Sequence, residues 1–232
     1  MRAALENIPV IKDSLNKFGI VNKTLQNAIL AVIGKESNYK PQTENLNYTA
    51  ERITQVWPYI TLATAKTLEK NPAKLAAFVY GNKYGNQTPA DAFNYIGRGF
   101  NQITFKDQYK KYGNLLGVDL INNPNLLNNT KIAADAAALY FKNTFAANKN
   151  IIKKKYGVDI NNISPGTSAD TLLKIAVNAN AGFGKSETIV NNEYKKSLQY
   201  FEYLTGKKTG FIPNLVPLLL LGAVTLYILK NR

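Results

Sequence analysis

The chain has 232 residues, with 29 Lys and Arg against 15 Asp and Glu, a formal charge of +14 at neutral pH. It contains neither Cys nor His. That excludes disulfides, thiolate zinc sites, imidazole triads and cysteine nucleophiles, and it leaves proton transfer to carboxylates, Lys or Tyr.

In chain order, Met1 to Gly19 lacks the apolar stretch of a secretory signal, so none is expected. Leu25, Ile29, Val32 and Ile33 recur at helical spacing, which predicts a buried helix with Thr24 as its N-cap and Gly34 near its end. Glu36 then lies at the exit of that helix, held rigidly enough to face a cleft. Thr49-Ala50-Glu51 opens a second helix that stops before Pro58, and Asn71-Pro72 opens one reaching Tyr80-Gly81. The segment from Leu46 to Phe105, with Gly81, Gly85, Gly97 and Gly99, holds the loops expected to carry function. Its strand signal is thin, a short hairpin at most between Phe93 and Ile103. Thr104 followed by Asp107 has the form of a capping box for a helix ending near Gly113. Thr130 to Tyr156 reads as one long core helix, and Ser168 to Asn178 and Glu187 to Leu204 supply two more.

The last segment differs in kind. Phe211 to Leu229 is 19 residues without a charge, between Lys207-Lys208 and Lys230/Arg232. As a helix it reaches about 28 Å, close to the hydrocarbon thickness of a bilayer. The expected organisation is therefore a globular domain over residues 1–206 and a C-terminal membrane anchor over 207–232. The basic balance points to a polyanionic partner: a membrane surface, a wall polymer or nucleic acid. The lysine pairs and the Lys153-Lys154-Lys155 triplet read as solvated helix faces, with no nucleic-acid recognition motif.

Chemistry centres on Glu36 and Glu44, eight positions apart across a helix exit. Two carboxylates flanking a cleft are the minimum machinery for cutting a glycosidic bond: one protonated to serve the leaving oxygen, one ionised to activate water. Asn178, Asn101, Gln102, Tyr48, Tyr95 and Thr104 add the amides, hydroxyls and aromatic rings that bind sugars.

Glu36-Ser37, the run Glu44-Asn45-Leu46-Asn47-Tyr48-Thr49-Ala50-Glu51, Asn71-Pro72, Val79-Tyr80-Gly81-Asn82 and Gly85-Asn86 occur in a fixed order. The run from Asn94 through Ile96-Gly97-Arg98-Gly99-Phe100-Asn101-Gln102-Ile103-Thr104 and then Asn123-Pro124 follow. Over about residues 24–204 this series resembles bacteriophage endolysins of the family 19 glycoside hydrolase, chitinase-like type. The resemblance implies a mainly α-helical, lysozyme-like, two-lobed domain that hydrolyses β-1,4 links of peptidoglycan with inversion. Position by position it implies Glu36 as general acid, Glu44 as candidate general base and Thr104 as the hydroxyl holding the attacking water. Gln102 and Asn178 match substrate-binding amides, Arg98 the arginine of the glycine-flanked motif, and Tyr48 and Tyr95 cleft-lining rings. In that scheme Glu36 is raised in pKa by apolar burial while Glu44 stays wetter.

Four departures bear on activity. Asn38-Tyr39 replaces small residues after Glu36-Ser37 and is expected to fill sugar space. Ile96 stands where Arg is usual, Phe105 where Gly is usual, and Asn178-Ala179-Asn180 where Asn-Gly-Gly is usual. Together the features predict a muralytic glycosidase anchored through residues 211–229 in a virion membrane or a host inner membrane. Its partners are peptidoglycan strands and the bilayer, with no nucleic acid, cofactor or metal. The alternatives are chitin as substrate, or a catalytically inactive glycan-binding or structural viral membrane protein.

Overall fold

A helix begins where a side chain can take up its first free N–H groups, and this chain shows that repeatedly. In the computed structural model, which describes residues 5–206, the first helices are α1 (Asn7–Lys17) and α2 (Lys23–Ser37). Asn22 caps α2, its Oδ1 accepting from the Leu25 N–H at 2.9 Å; the expected cap, Thr24, lies inside the first turn. Helix α3 (Ala50–Val56) is capped by Thr49, α4 (Leu62–Leu68) by Thr61, and α5 (Pro72–Tyr80) by Asn71 with Pro72 at the first position. Thr88 and Asp91 form a capping box on α6 (Pro89–Asn94). No such box opens α7 (Lys106–Leu116): Phe105 occupies the cap at φ +75°, and the Thr104 hydroxyl donates instead to the Gln102 carbonyl at 3.0 Å. The expected long core helix is two, α8 (Thr130–Ala147) and α9 (Lys149–Tyr156). At the break the Asn148 amide donates to the Thr144 carbonyl at 2.8 Å, a local side-chain bond that competes with helix continuation. Ser168 caps α10 (Ala169–Ala181), and α11 spans Glu187–Leu204.

The described residues form two compact units. One comprises residues 5–40 and 134–206. Its core is α2 packed on α10 and α11. Gly34 allows the close approach, since a Cβ there would lie 2.5 Å from the rings of Tyr39 and Tyr200. Asp135 ties in α1, accepting from Ser14 Oγ at 2.6 Å and Lys17 Nζ at 2.7 Å. The other unit, residues 41–133, is built around Leu46, Ile53, Trp57, Leu75, Val79, Tyr80, Ile96 and Phe105. It contains the only strands among the described residues, β1 (Gln42–Thr43) and β2 (Arg98–Gly99), antiparallel with Gln42 opposite Gly99 and Thr43 opposite Arg98. The expected hairpin survives as a single bridge between Arg98 and Ile103.

One expectation is overturned. Among the described residues no helix is long and apolar enough to cross a membrane. The longest of them, α8 and α11, have 18 residues each. Both are interrupted by charges, at Lys131, Asp135 and Lys142 in one and Glu187, Glu193, Lys195, Lys196 and Glu202 in the other. The expected span, residues 211–229, lies outside the described residues. The described helices thus give no support to the transmembrane part of the expected fold class or to placement in a virion or inner membrane.

Candidate active site

In the unit of residues 41–133 the strand pairing delivers Glu44 to the glycine-flanked motif. Past Thr43 the ladder continues with the Glu44 N–H donating to the Gly97 carbonyl at 2.8 Å, so the carboxyl group folds back against Gly97. The Gly97 N–H lies 3.4 Å from Oε2, and the Tyr80 hydroxyl donates to Oε1 at 2.8 Å and to Oε2 at 3.0 Å. Gly97 leaves room for these side chains: a Cβ would sit 2.7 Å from Gln102 Oε1 and 3.4 Å from Thr104 Oγ1 and make Gln102 shift. Gln102 is pinned by its own amide, which donates to the Gln42 and Gly99 carbonyls at 3.0 Å each.

Arg98 is 7% exposed, and its guanidinium is spent within the unit. It donates to the Asn94 carbonyl at 2.6 Å, the Tyr109 hydroxyl at 2.8 Å and Asn125 Oδ1 at 3.1 Å. Its charge still reaches Glu44. Burial pushes the Glu44 carboxyl from an ordinary 4.5 up to about 7, against the pull of the Tyr80 hydroxyl, the Gly97 N–H and Arg98. Glu44 is thus 6% exposed and far from wet. Burial and the Glu44 charge in turn raise Tyr48, whose ring tilts against Trp57 at 6.0 Å.

In the other unit Glu36 occupies the last turn of α2 at 8% exposure. Its surroundings are ionic where apolar ones were expected. The Lys35 ammonium, 9% exposed, bridges the Glu36 and Glu193 carboxylates. Asn180 Nδ2 donates to Glu36 Oε1 at 2.7 Å, and Lys196 pairs with Glu193 at 3.1 Å. Burial works against the Lys35 charge, but Glu36 and Glu193 more than offset it and leave its pKa raised.

The structure therefore gathers Glu44, Gln102 and Thr104 about Gly97, with Tyr48 and Arg98 within electrostatic reach. It sets Tyr95 apart: that residue is 5% exposed, with its hydroxyl on the Ile121 carbonyl at 3.1 Å. Asn178 likewise turns to the Tyr156 hydroxyl, at 2.6 Å, while Asn180 takes the place beside Glu36. Three of the departing side chains are interior residues. Tyr39 is fully buried with its ring edge-on to Tyr200, and Ile96 and Phe105 belong to the core of residues 41–133. Sequence reasoning missed Lys35, Tyr80, Asn180 and Glu193. For Tyr80 a signal existed, since Val79-Tyr80-Gly81-Asn82 stood in the recognised series; Glu193 lies 157 positions from Glu36 and carried none.

Comparison with known proteins gives the family. The family model described as chitinase class I, glycoside hydrolase family 19, matches residues 57–206, downstream of both Glu36 and Glu44. A glycosyl hydrolase family 19 domain-containing protein of Haemophilus influenzae is 34% identical over 149 residues, 62% of this chain and 74% of that protein. Rice chitinase 11 is 43% identical over 54 residues, 23% of this chain and about a fifth (21%) of the rice protein.

Proposed function

The chain belongs to glycoside hydrolase family 19 and is a glycoside hydrolase; from that premise we propose that it cuts β-1,4 links of peptidoglycan with inversion, using Glu44 as base and Glu36 as acid once a proton replaces Lys35 on its carboxylate. The observation that carries the reading is the Glu44 cradle. Every contact on its two oxygens is a donor, the pattern that suits an ionised carboxylate, while burial lifts its pKa to about 7. A carboxylate poised there is a better acceptor of water's proton than one at an ordinary value, and enough of it is ionised at neutral pH to act.

Thr104 and Gln102 supply the remaining parts. The Thr104 hydroxyl spends its proton on the Gln102 carbonyl, which leaves its lone pairs to accept from a water beside Glu44. Tyr48 and Arg98 keep proposed parts beside Glu44, Tyr95 and Asn178 act only through the neighbours they hold, and Asn180 takes the part of the amide that touches Glu36. Peptidoglycan is favoured over chitin by charge. Its stem-peptide carboxylates make it anionic, chitin is neutral, and this chain carries +14.

The test is release of reducing ends from purified peptidoglycan and from chitin. The wild-type protein is expected to act on peptidoglycan in preference. Glu36→Gln and Glu44→Gln are each expected to lose about 10²–10⁴-fold in kcat with the fold intact. Unchanged rates in either variant remove that residue from the reaction, and preference for chitin overturns the substrate.

A further inference from the structure

Tyr80 is the last residue of α5 and is fully buried. Its backbone carbonyl accepts from Asn86 Nδ2 at 3.0 Å, and its ring meets Phe105 edge-on, with centroids 5.5 Å apart and planes at 86°. Phe105 holds that position in an unusual way. Its backbone lies at φ +75°, ψ 142°, a region suited to glycine, and it stands where the family resemblance leads one to expect glycine. The ring has no exposure and also lies edge-on to Tyr84, 4.9 Å away. The chain thus tolerates a disfavoured backbone in order to place an aromatic wall behind Tyr80.

We infer that Tyr80, backed by Phe105, is the positioning residue that fixes the orientation and charge of Glu44. The inference rests on Glu44 being the base of the proposed reaction. The groups facing Glu44 are the Tyr80 hydroxyl, the Gly97 N–H, the Arg98 guanidinium and the Tyr48 and Tyr109 phenols. Among the described residues only Tyr80 reaches both carboxylate oxygens with a side-chain donor. One hydroxyl shared between two oxygens fixes the plane of the carboxylate and favours its ionised form, in opposition to burial. Removing it leaves burial less opposed, so Glu44 holds its proton to higher pH.

Tyr80→Phe keeps the ring and its contact with Phe105 and deletes only the hydroxyl. Expected is an upward shift of about one pH unit in the Glu44 titration midpoint, followed by carboxyl carbon NMR. The limb of the pH–kcat/KM profile near pH 7 is expected to move with it, with KM unchanged. Phe105→Leu, which keeps apolar bulk but loses the edge contact, is expected to shift the same limb in the same direction by less. A midpoint and limb unmoved in Tyr80→Phe, with Glu44→Gln inactive, overturn the inference and leave the reaction assignment standing. Full activity in Glu44→Gln overturns the assignment itself, and the inference with it. A limb unmoved in Phe105→Leu overturns the part given to Phe105.

Discussion

Glu44 is held where its ionised form is most expensive. Its folded pKa of about 7 exceeds the ordinary 4.5. Its contribution to stability is therefore fully present below about pH 4.5 and is lost as pH rises through 7. A shift of that size corresponds to about 3 kcal/mol. Glu44→Gln, whose amide does not ionise but must crowd the Gly97 N–H, is expected to gain roughly 1–3 kcal/mol on wild type between pH 4.5 and pH 8. Denaturant unfolding at the two pH values measures it, and a difference between the proteins that does not change with pH contradicts the burial argument. Catalytic groups held against stability are the usual cost of a poised site. The two proposed carboxylates were picked out in the sequence by local runs, Glu36-Ser37 and Glu44-Asn45-Leu46-Asn47-Tyr48. Their environments were not. Glu36 was expected among apolar neighbours, but its partners Asn180 and, through Lys35, Glu193 come from helices more than 140 positions away.

At the level of elements, caps and apolar periodicity located α2, α3, α5, α10 and α11 to within a few residues, because each rule acts within one turn. The misreadings have equally local causes. Thr104 and Asp107 carry the letters of a capping box, but Phe105 at φ +75° displaces the helix start by a residue and turns the Thr104 hydroxyl elsewhere. A non-glycine residue there costs about 1–3 kcal/mol, which no propensity rule anticipates. The break at Asn148 is local too, its amide bonding back to the Thr144 carbonyl, and the short α4 and α6 open on the caps Thr61 and Thr88. Packing makes the sharpest demand on α2. Its Gly34 faces Tyr39 and Tyr200 at a distance with no room for a methyl group. Gly34→Ala gains helix propensity yet is expected to destabilise by about 1–3 kcal/mol through overpacking. Thermal melting checks this; a neutral or raised melting temperature contradicts the close contact of α2 with α11.

For the molecule as a whole, the helical character and the glycosidase chemistry were readable from ordered short motifs, and the family comparison agrees with them. The membrane anchor found no support among the described residues. It rested on one uncharged run outside the described residues, and no described helix supplies a span. What remains is a basic, helix-rich glycoside hydrolase whose two proposed carboxylates differ in surroundings. Glu44 sits in a neutral cradle of hydrogen-bond donors and Glu36 in a lysine-bridged ion pair. The central claim is that Glu44 activates water and never bonds to the sugar. Proton NMR of the first sugar released from a soluble peptidoglycan fragment tests it most directly. Direct attack by water requires the α-anomer to appear first and the β-anomer only by later mutarotation. A β-anomer formed first signals two successive displacements, through an enzyme carboxylate or the sugar's own acetamido group, and contradicts the account.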